Sequence, residues 1–193
     1  MLADIQRVLI DRGEISHRLD ALADEVSRDF TGGGTGEAGD GEITLVPILT
    51  GSIIFVADLM RRMPQRMRIH LLSVASYPGK STTSRGAAVK QELTNLPPSL
   101  AGQNVLLVDD ILDSGGTLKL ARDLLAKREP ASLRTCVLLR KQRPEAMRCP
   151  VDYVAFDIPD EFVVGYGLDY DDLYRNLPEI VTLKREAIDV EPR

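Results

Sequence analysis

The feature that most constrains this chain is the segment from Val105 to Leu118, VLLVDDILDSGGTL, in which an apolar run ends in a pair of aspartates. The run is rich in branched side chains, which is typical of a strand buried on both faces of a parallel sheet. Asp109 and Asp110 follow where that strand is predicted to end. Ligands of open α/β sheets bind beyond the carboxyl ends of the strands, so an acidic pair there can accept hydrogen bonds from paired hydroxyls or hold a magnesium ion.

A turn of small residues comes next, formed by Ser114, Gly115, Gly116 and Thr117. Glycines allow the backbone to approach a ligand closely. A helix that begins at such a turn directs unpaired N–H groups and the positive end of its dipole toward one point, where a phosphate fits. Together, the aspartates and the turn indicate a site for a sugar phosphate.

Two other nucleotide-binding motifs share part of this pattern. An apolar strand that ends in Asp-Asp also occurs as the Walker-B strand, but a Walker enzyme needs an upstream G-x-x-x-x-G-K-[ST] loop. The nearest candidate, Gly36 to Gly41, is followed by Glu42 and lacks the phosphate-holding lysine. No G-x-G-x-x-G fingerprint follows a strand-like segment, so the sequence does not favour a dinucleotide-binding domain.

Composition limits the classes of function further. A chain of 193 residues with 44% hydrophobic content is expected to form one globular domain. Its formal charge of -5 and pI near 5.1 argue against a general nucleic-acid binder, and no apolar run is long enough to span a bilayer. The chain contains only two cysteines, Cys136 and Cys149, which fits a reducing cytoplasm, and Cys136 is predicted to lie in the core.

Hydrophobic periodicity predicts an α/β fold with a mainly parallel central sheet flanked by helices. Apolar residues at helical spacing predict an amphipathic helix from Glu14 to Phe30, and the glycine-rich segment 31–42 is predicted to be a connector. From Ile43 onward the pattern of strand, turn and helix repeats. The predicted strands are ITLVPIL, MRIHLLSV, SLRTCVLL and YVAFDI, and a helix, IIFVADLMRRM, is predicted between the first two. The polar segment from Ser76 to Ala88 is too long for an ordinary connection and is predicted to be a functional loop such as a lid.

A second motif, FVVGYGLDYDDLYRNL from Phe162 to Leu177, lies downstream of the aspartate pair. The two motifs in this order resemble the type I phosphoribosyltransferases, and the second resembles their hypoxanthine-guanine branch. The resemblance extends from about Ile43 to Leu183. It implies the type I phosphoribosyltransferase fold with a small hood that bears the purine site. The domain would then span residues 1–193, with an N-terminal helix and connector (1–42), core and hood (43–183) and a charged tail (184–193).

The resemblance also implies an activity. Members of this branch form IMP or GMP and pyrophosphate from hypoxanthine or guanine and phosphoribosyl diphosphate, with Mg²⁺ as cofactor. The partners would be these small-molecule substrates, with no nucleic acid or membrane involved, and the assembly would be a homodimer or homotetramer. Two alternatives stay open at this point, namely a xanthine-preferring phosphoribosyltransferase and an RNA-binding regulator built on the same scaffold.

By resemblance, several residues would bind phosphoribosyl diphosphate. The turn from Asp113 to Thr117 would hold the sugar phosphate, and Asp109 and Asp110 would hold the ribose hydroxyls, directly or through magnesium. Thr50 and Gly51, within the loop Leu49 to Ser52, would offer backbone N–H groups to the pyrophosphate. Many relatives carry a basic residue in place of Thr50, and some carry a lysine in place of Gly116, so the backbone donors would have to suffice here.

The resemblance makes Asp113 the general base and Lys141 the residue that reads the purine. An ammonium group only donates hydrogen bonds, so at the purine six position it favours a carbonyl oxygen over the amino group of adenine. Each residue also has a plain structural alternative. Asp113 could cap a helix, as aspartate often does, and Lys141 could be a surface lysine in a basic cluster with Arg140 and Arg143.

The second motif supplies the remaining predicted residues. Phe162 would stack on the purine and the Val163 backbone would read its edge, although the pattern alone equally predicts a core strand. Asp169 and Arg175 would help to place the purine, magnesium and pyrophosphate, with Asp169 as a metal ligand beside Asp109 and Asp110. Ser76 and Tyr77 match the start of the catalytic lid of the family, whose closure would exclude water.

Overall fold

A computed structural model describes residues 1–31, 41–76, 87–89 and 94–188 of the chain. After a short 3-10 turn at Leu2–Asp4, the elements are β1 (Ile5–Ile10), α1 (Arg12–Thr31), β2 (Ile43–Leu49), α2 (Ile53–Met60), β3 (Met67–Ile69), β4 (Leu72–Ser76), β5 (Ala87–Val89), β6 (Asn104–Leu112), α3 (Gly116–Ala126), β7 (Ser132–Lys141), α4 (Pro144–Arg148), β8 (Tyr153–Ile158), β9 (Val163–Val164), β10 (Ile180–Leu183) and α5 (Arg185–Ile188).

The larger sheet has the strand order β5-β4-β2-β6-β7-β8, with β3 paired to β2 beside β4. Every pair is parallel except β4 with β5, which is antiparallel. Because parallel strands end at the same edge, the residues that follow β2, β6, β7 and β8 come together there. The predicted α/β class with a mainly parallel central sheet is confirmed.

Helices cover both faces of this sheet. Leu106 and Val108 pack on one face among residues of α1 and α2, whereas Val105 and Leu107 pack on the other face among residues of α3. All four side chains are fully buried. This alternation confirms that the apolar run is a strand covered on both sides, which holds its carboxyl end firmly in place.

Most predicted elements are found near their predicted bounds. The helix predicted from Glu14 to Phe30 is α1, and Cys136 lies in the core of β7 as predicted. Three predicted bounds are wrong. The strand predicted to end before Asp109 is β6, which continues to Leu112. The predicted strand MRIHLLSV is interrupted at His70, whose N–H donates to the carbonyl of Leu45 (3.0 Å) between β3 and β4. The helix after Ser52 ends at Met60, before Pro64, which lacks the N–H that would continue it.

A second, three-stranded antiparallel sheet has the order β1-β10-β9 and combines both ends of the described chain. It corresponds to the hood implied by the resemblance. Strand β1 was not predicted from the sequence, because its residues are mostly exposed and its partner β10 is remote in the chain. None of the helices in the described ranges is long and apolar enough to cross a membrane.

Candidate active site

The aspartate pair lies near the carboxyl end of β6, which continues past it to Leu112. Asp109 is 4% exposed and accepts a hydrogen bond from the Asp110 N–H (3.1 Å), while Asp110 accepts one from the Ile111 N–H (2.8 Å). Burial is the largest cause that raises the pKa of Asp109 well above its ordinary value, and the adjacent Asp110 carboxylate raises it further. Burial also raises the pKa of Asp110, against the opposing charge of Arg175.

Because of this electrostatic cost, we predict that the Asp109 carboxylate destabilises the folded protein at neutral pH. Because the folded-state pKa is raised, the penalty is absent below the ordinary value near 3.8 and grows as the pH rises through the folded pKa. We therefore expect Asp109→Asn to raise the free energy of unfolding at pH 7. The gain should vanish below about pH 4. Denaturant unfolding at pH 7 and pH 3.5 measures it, and an equal or lower stability at pH 7 would contradict the prediction.

The predicted pyrophosphate loop packs directly against the aspartate pair. Gly51 lies in the turn between β2 and α2, after a cis peptide bond between Leu49 and Thr50. A Cβ atom on Gly51 would stand 1.6 Å from Asp110 Oδ2, and a Cβ atom on Gly167 would stand 2.1 Å from the Gly51 carbonyl oxygen. The structure thus brings Gly51 beside Asp110, and Thr50 precedes Gly51 in the same turn.

The predicted phosphate turn leads from β6 into α3. Gly115 is the N-cap of α3 with φ +83°, a left-handed conformation that side chains disfavour. As a glycine, this N-cap residue makes no side-chain capping hydrogen bond. The N–H groups of Gly116, Thr117 and Leu118 therefore have no acceptor within the helix. The predicted turn Ser114-Gly115-Gly116-Thr117 thus leads into a helix N-terminus of the kind that binds anions, and its role in holding the sugar phosphate stays a prediction.

Asp113 is not the helix cap, because Gly115 has that position, so the capping alternative is wrong. The Asp113 carboxylate instead faces two cations. Its Oδ1 lies 2.6 Å from Arg143 Nη1, and its Oδ2 lies 3.6 Å from Lys141 Nζ. Asp160 Oδ1 completes the cluster, at 2.6 Å from Arg143 Nε and 3.8 Å from Lys141 Nζ. We call Asp113, Lys141, Arg143 and Asp160 the charge quartet.

Lys141 is buried, with 7% of its surface exposed at the end of β7. The alternative of a surface lysine is therefore wrong. Phe162 is 37% exposed and its ring meets the ring of Tyr170 edge to face, with centroids 5.6 Å apart. Val163 opens β9, and the preceding loop carries Asp160 of the charge quartet. The Phe162 ring thus has Tyr170 as a neighbour, while part of its surface is exposed.

Asp169 and Arg175 form an ion pair of 2.8 Å, and Arg175 also donates to the Gly167 carbonyl (2.9 Å). Arg175 therefore connects the Gly167 turn with Asp169, close enough to Asp110 to affect its pKa. Across the part of the chain that the structure describes, no three His, Cys, Asp or Glu side chains form a ready metal cluster. Asp109, Asp110 and Asp169 as joint metal ligands stay a prediction.

Two members of the charge quartet were missed as site residues by the sequence analysis. Arg143 was noted only as part of a basic cluster, and Asp160 was not noted. The available signal was their position after β7 and β8, neighbours of β6 in the sheet. The predicted lid begins at Ser76, the last residue of β4, whereas Tyr77 lies outside the described residues.

Comparisons with known proteins agree with this geometry. The family described as "Phosphoribosyl transferase domain" matches residues 12–171. A hypoxanthine-guanine phosphoribosyltransferase of Streptococcus pneumoniae is 40% identical over 184 residues, covering 95% of this chain and 96% of that protein. A hypoxanthine phosphoribosyltransferase structure from Staphylococcus aureus has a TM-score of 0.82 at 37% identity, covering 97% of this chain and 96% of that one. A Trypanosoma cruzi hypoxanthine phosphoribosyltransferase variant, complexed with the product IMP, has a TM-score of 0.80 at 35% identity, covering 95% and 92%.

Proposed function

Since this chain belongs to the phosphoribosyl transferase domain family, we propose that it is a purine-salvage enzyme that forms IMP or GMP and pyrophosphate. Its substrates are hypoxanthine or guanine and phosphoribosyl diphosphate. The names of the similar proteins support this substrate class, and one of them is complexed with IMP. The similarity covers nearly the whole chain, including the second motif that carries Phe162, Asp169 and Arg175.

The positions of two side-chain atoms support a 6-oxopurine as the base. Lys141 Nζ, a donor, and Asp113 Oδ2, an acceptor, stand side by side 3.6 Å apart, with both quartet carboxylates beyond hydrogen-bond distance of Nζ. The O6 and N7 atoms of a 6-oxopurine lie on one edge of the base. With a proton on N7, that edge offers an acceptor beside a donor, which matches the pair. Adenine would direct an amino group at the ammonium of Lys141 and leave it unpaired.

The residues of the site have distinct tasks in this reaction. A purine ring nitrogen attacks the anomeric carbon while pyrophosphate leaves, through a transition state with oxocarbenium character. Asp113 takes the proton from the imidazole ring, Lys141 donates to O6, and Phe162 with the Val163 backbone holds the base in plane. The loop at Thr50 and Gly51 receives the pyrophosphate. The protein therefore contributes chiefly position and electrostatic stabilisation.

Mg²⁺ suits the residues of this site. Asp109, which is buried, and Asp110, which is partly buried, are hard oxygen donors, and among the described residues no basic side chain lies within ion-pair distance of either carboxylate. Mg²⁺ is usually held by one or two carboxylates together with substrate oxygens, and Asp109 and Asp110 supply two adjacent carboxylates. When bound, the ion would neutralise charge on the pyrophosphate. Asp109 and Asp110 would hold it with the ribose hydroxyls, and Asp169 is the third candidate ligand.

A purine panel tests the proposal directly. Purified protein with Mg²⁺ and phosphoribosyl diphosphate should convert hypoxanthine or guanine to its nucleotide, leave adenine unchanged and stop when EDTA removes the metal. Turnover of xanthine above both other bases would replace the proposed substrate. Absence of turnover with all four bases, together with tight specific RNA binding at physiological salt, would overturn the enzyme in favour of a regulator.

Lys141→Gln tests the reading of the base. The glutamine amide can still donate to O6 but can also accept from an exocyclic amino group. We expect kcat/KM for hypoxanthine to fall about tenfold and the preference over adenine to narrow. Steady-state assays with both bases measure this change. Asp113 and phosphoribosyl diphosphate remain in place, so an unchanged preference would exclude Lys141 as the residue that reads the base.

Several finer features belong to the same proposal. They rest on the family resemblance or, for the cytoplasmic location and the nucleic-acid partners, on the cysteine content and acidic charge of the sequence. They are the homodimer or homotetramer, the cytoplasmic location, the absence of nucleic-acid partners, the division at residues 42 and 183, and the lid that begins at Ser76 and Tyr77. In the described ranges, the finding that bears on membranes is the lack of a helix able to span one.

A further inference from the structure

We propose that Arg143 is a positioning residue that fixes Asp113 by one carboxylate oxygen and thereby directs the other oxygen toward the purine. This inference rests on the proposed function, because it concerns the residue to which that function assigns proton transfer. Arg143 belongs to neither of the two motifs that carry the resemblance. Its assignment follows from the contacts of the charge quartet.

The guanidinium of Arg143 bridges two carboxylates from two different loops. Nη1 lies 2.6 Å from Asp113 Oδ1, in the turn after β6, and Nε lies 2.6 Å from Asp160 Oδ1, in the loop after β8. A planar guanidinium with several fixed donors can hold two anions in set directions, which a flexible ammonium cannot do as well. Asp160 therefore anchors the arginine, and the arginine anchors Asp113.

The two oxygens of Asp113 are consequently not equivalent. Oδ1 is ion-paired with Arg143 Nη1 at 2.6 Å, whereas the nearest cation to Oδ2 is Lys141 Nζ at the longer distance of 3.6 Å. Oδ2 is thus the oxygen available to a proton from the base, beside the ammonium that meets O6. Among the described residues neither Asp113 Oδ1 nor Arg143 Nε makes a hydrogen bond, so the two short contacts are ion pairs and Arg143 orients Asp113 through charge.

Charge balance gives a second reason for the arginine. The charge quartet contains two cations and two anions, and Lys141 is the more buried cation. Without Arg143, a single ammonium would face two carboxylates and would be drawn to one of them. Lys141 would then leave the position from which it reads O6. Arg143 thus keeps the Lys141 ammonium and the Asp113 carboxylate apart, in the positions from which they meet the purine.

The backbone around Arg143 is also fixed. Arg143 is the N-cap of α4, directly before Pro144, and has an extended conformation (φ -107°, ψ 145°). Its N–H donates to the Lys141 carbonyl (2.7 Å) and its carbonyl accepts from the Met147 N–H (2.9 Å). The side chain therefore starts from a rigid point beside Lys141. Asp113, by contrast, caps no helix, so its direction depends on the cations that face it.

Arg143→Gln, Arg143→Lys and Asp160→Asn test this role by single-turnover formation of IMP from hypoxanthine, which isolates chemistry from product release. We expect Arg143→Gln and Asp160→Asn each to lower the rate about tenfold, and the double variant to be no slower than Arg143→Gln, because both act through one contact chain. Arg143→Lys should give an intermediate rate, since it keeps the charge but loses the bridge. KM for phosphoribosyl diphosphate should stay within twofold, because both ion pairs of the Arg143 guanidinium are made with carboxylates of the charge quartet.

Arg140→Gln is the matched control. Arg140 precedes Lys141 on the same strand and forms a two-point ion pair with Asp157 on β8 (2.6 and 3.0 Å), outside the charge quartet. It should keep the wild-type single-turnover rate. Equal rates for Arg143→Gln and wild type, or a tenfold loss in Arg140→Gln as well, would overturn the positioning role. An inactive wild-type protein would instead refute the proposed function, so the two failures are distinguishable.

Discussion

Asp113→Asn is expected to lower the single-turnover rate of nucleotide formation about 100-fold to 10,000-fold, the range that general acid–base catalysis contributes. The amide keeps the size of the side chain and an oxygen near Arg143, but it cannot take up the proton that leaves the imidazole ring of the purine. The fold should persist, because Asp113 is half-buried and caps no helix. Rapid-quench assays with hypoxanthine and a thermal unfolding curve measure both parts.

Asp157→Asn separates proton transfer from the loss of an ion pair. Asp157 also accepts from an arginine at the end of a neighbouring strand, and the Arg140 hydrogen bond is the main cause that lowers its pKa. This variant should lose a comparable, small amount of stability, since partly exposed ion pairs contribute little, and should keep the wild-type rate. A wild-type rate in Asp113→Asn would remove Asp113 from the mechanism and leave position and electrostatics as the sources of catalysis.

The local sequence was sufficient to predict those helices and strands whose pattern of apolar residues reflects which of their own faces are buried. Strand β6 is apolar because both of its faces are covered, and α1 shows helical spacing because one of its faces packs on the sheet. Strand β1 could not be predicted in this way. Its residues are mostly exposed, and its pairing of Ile10 with Ile180 joins opposite ends of the chain, which no local window contains. The break at His70 has the same cause, since its partner is the Leu45 carbonyl.

The candidate site shows the same division between local and long-range information. The aspartate pair and the turn at Gly115 are close together in the chain, so both could be recognised in the sequence as one motif. The charge quartet is assembled from the ends of three neighbouring strands, and its contacts depend on the order β6-β7-β8. No single segment of the sequence specifies this strand order. Arg143 and Asp160 therefore resembled ordinary surface charges until the sheet placed them against Asp113 and Lys141.

Gly51→Ala is expected to lower kcat/KM for phosphoribosyl diphosphate about 100-fold, the scale of loss when a reacting group is displaced by roughly an ångström. A methyl group at this position would stand 1.6 Å from Asp110 Oδ2, so the carboxylate or the loop must move. Rotation of one short side chain costs less than movement of the backbone, which Gly167 holds from the other side. The fold should therefore survive while Asp110 leaves the ribose and metal position. Steady-state kinetics with varied phosphoribosyl diphosphate, together with a thermal unfolding curve, measure the two effects.

Gly102→Ala is the control: it is the same substitution of glycine by alanine, at a position where the added methyl group contacts no other atom. Gly102 has φ +75° at the opposite end of β6, and a Cβ atom there would meet no atom within 4 Å. Its alanine variant should lose stability through backbone strain, since alanine disfavours positive φ, and keep its affinity for phosphoribosyl diphosphate. If Gly51→Ala showed only the stability loss of Gly102→Ala, the close approach to Asp110 would serve packing alone. A kinetic loss confined to Gly51→Ala would instead tie substrate binding to the space that this glycine leaves for the aspartate.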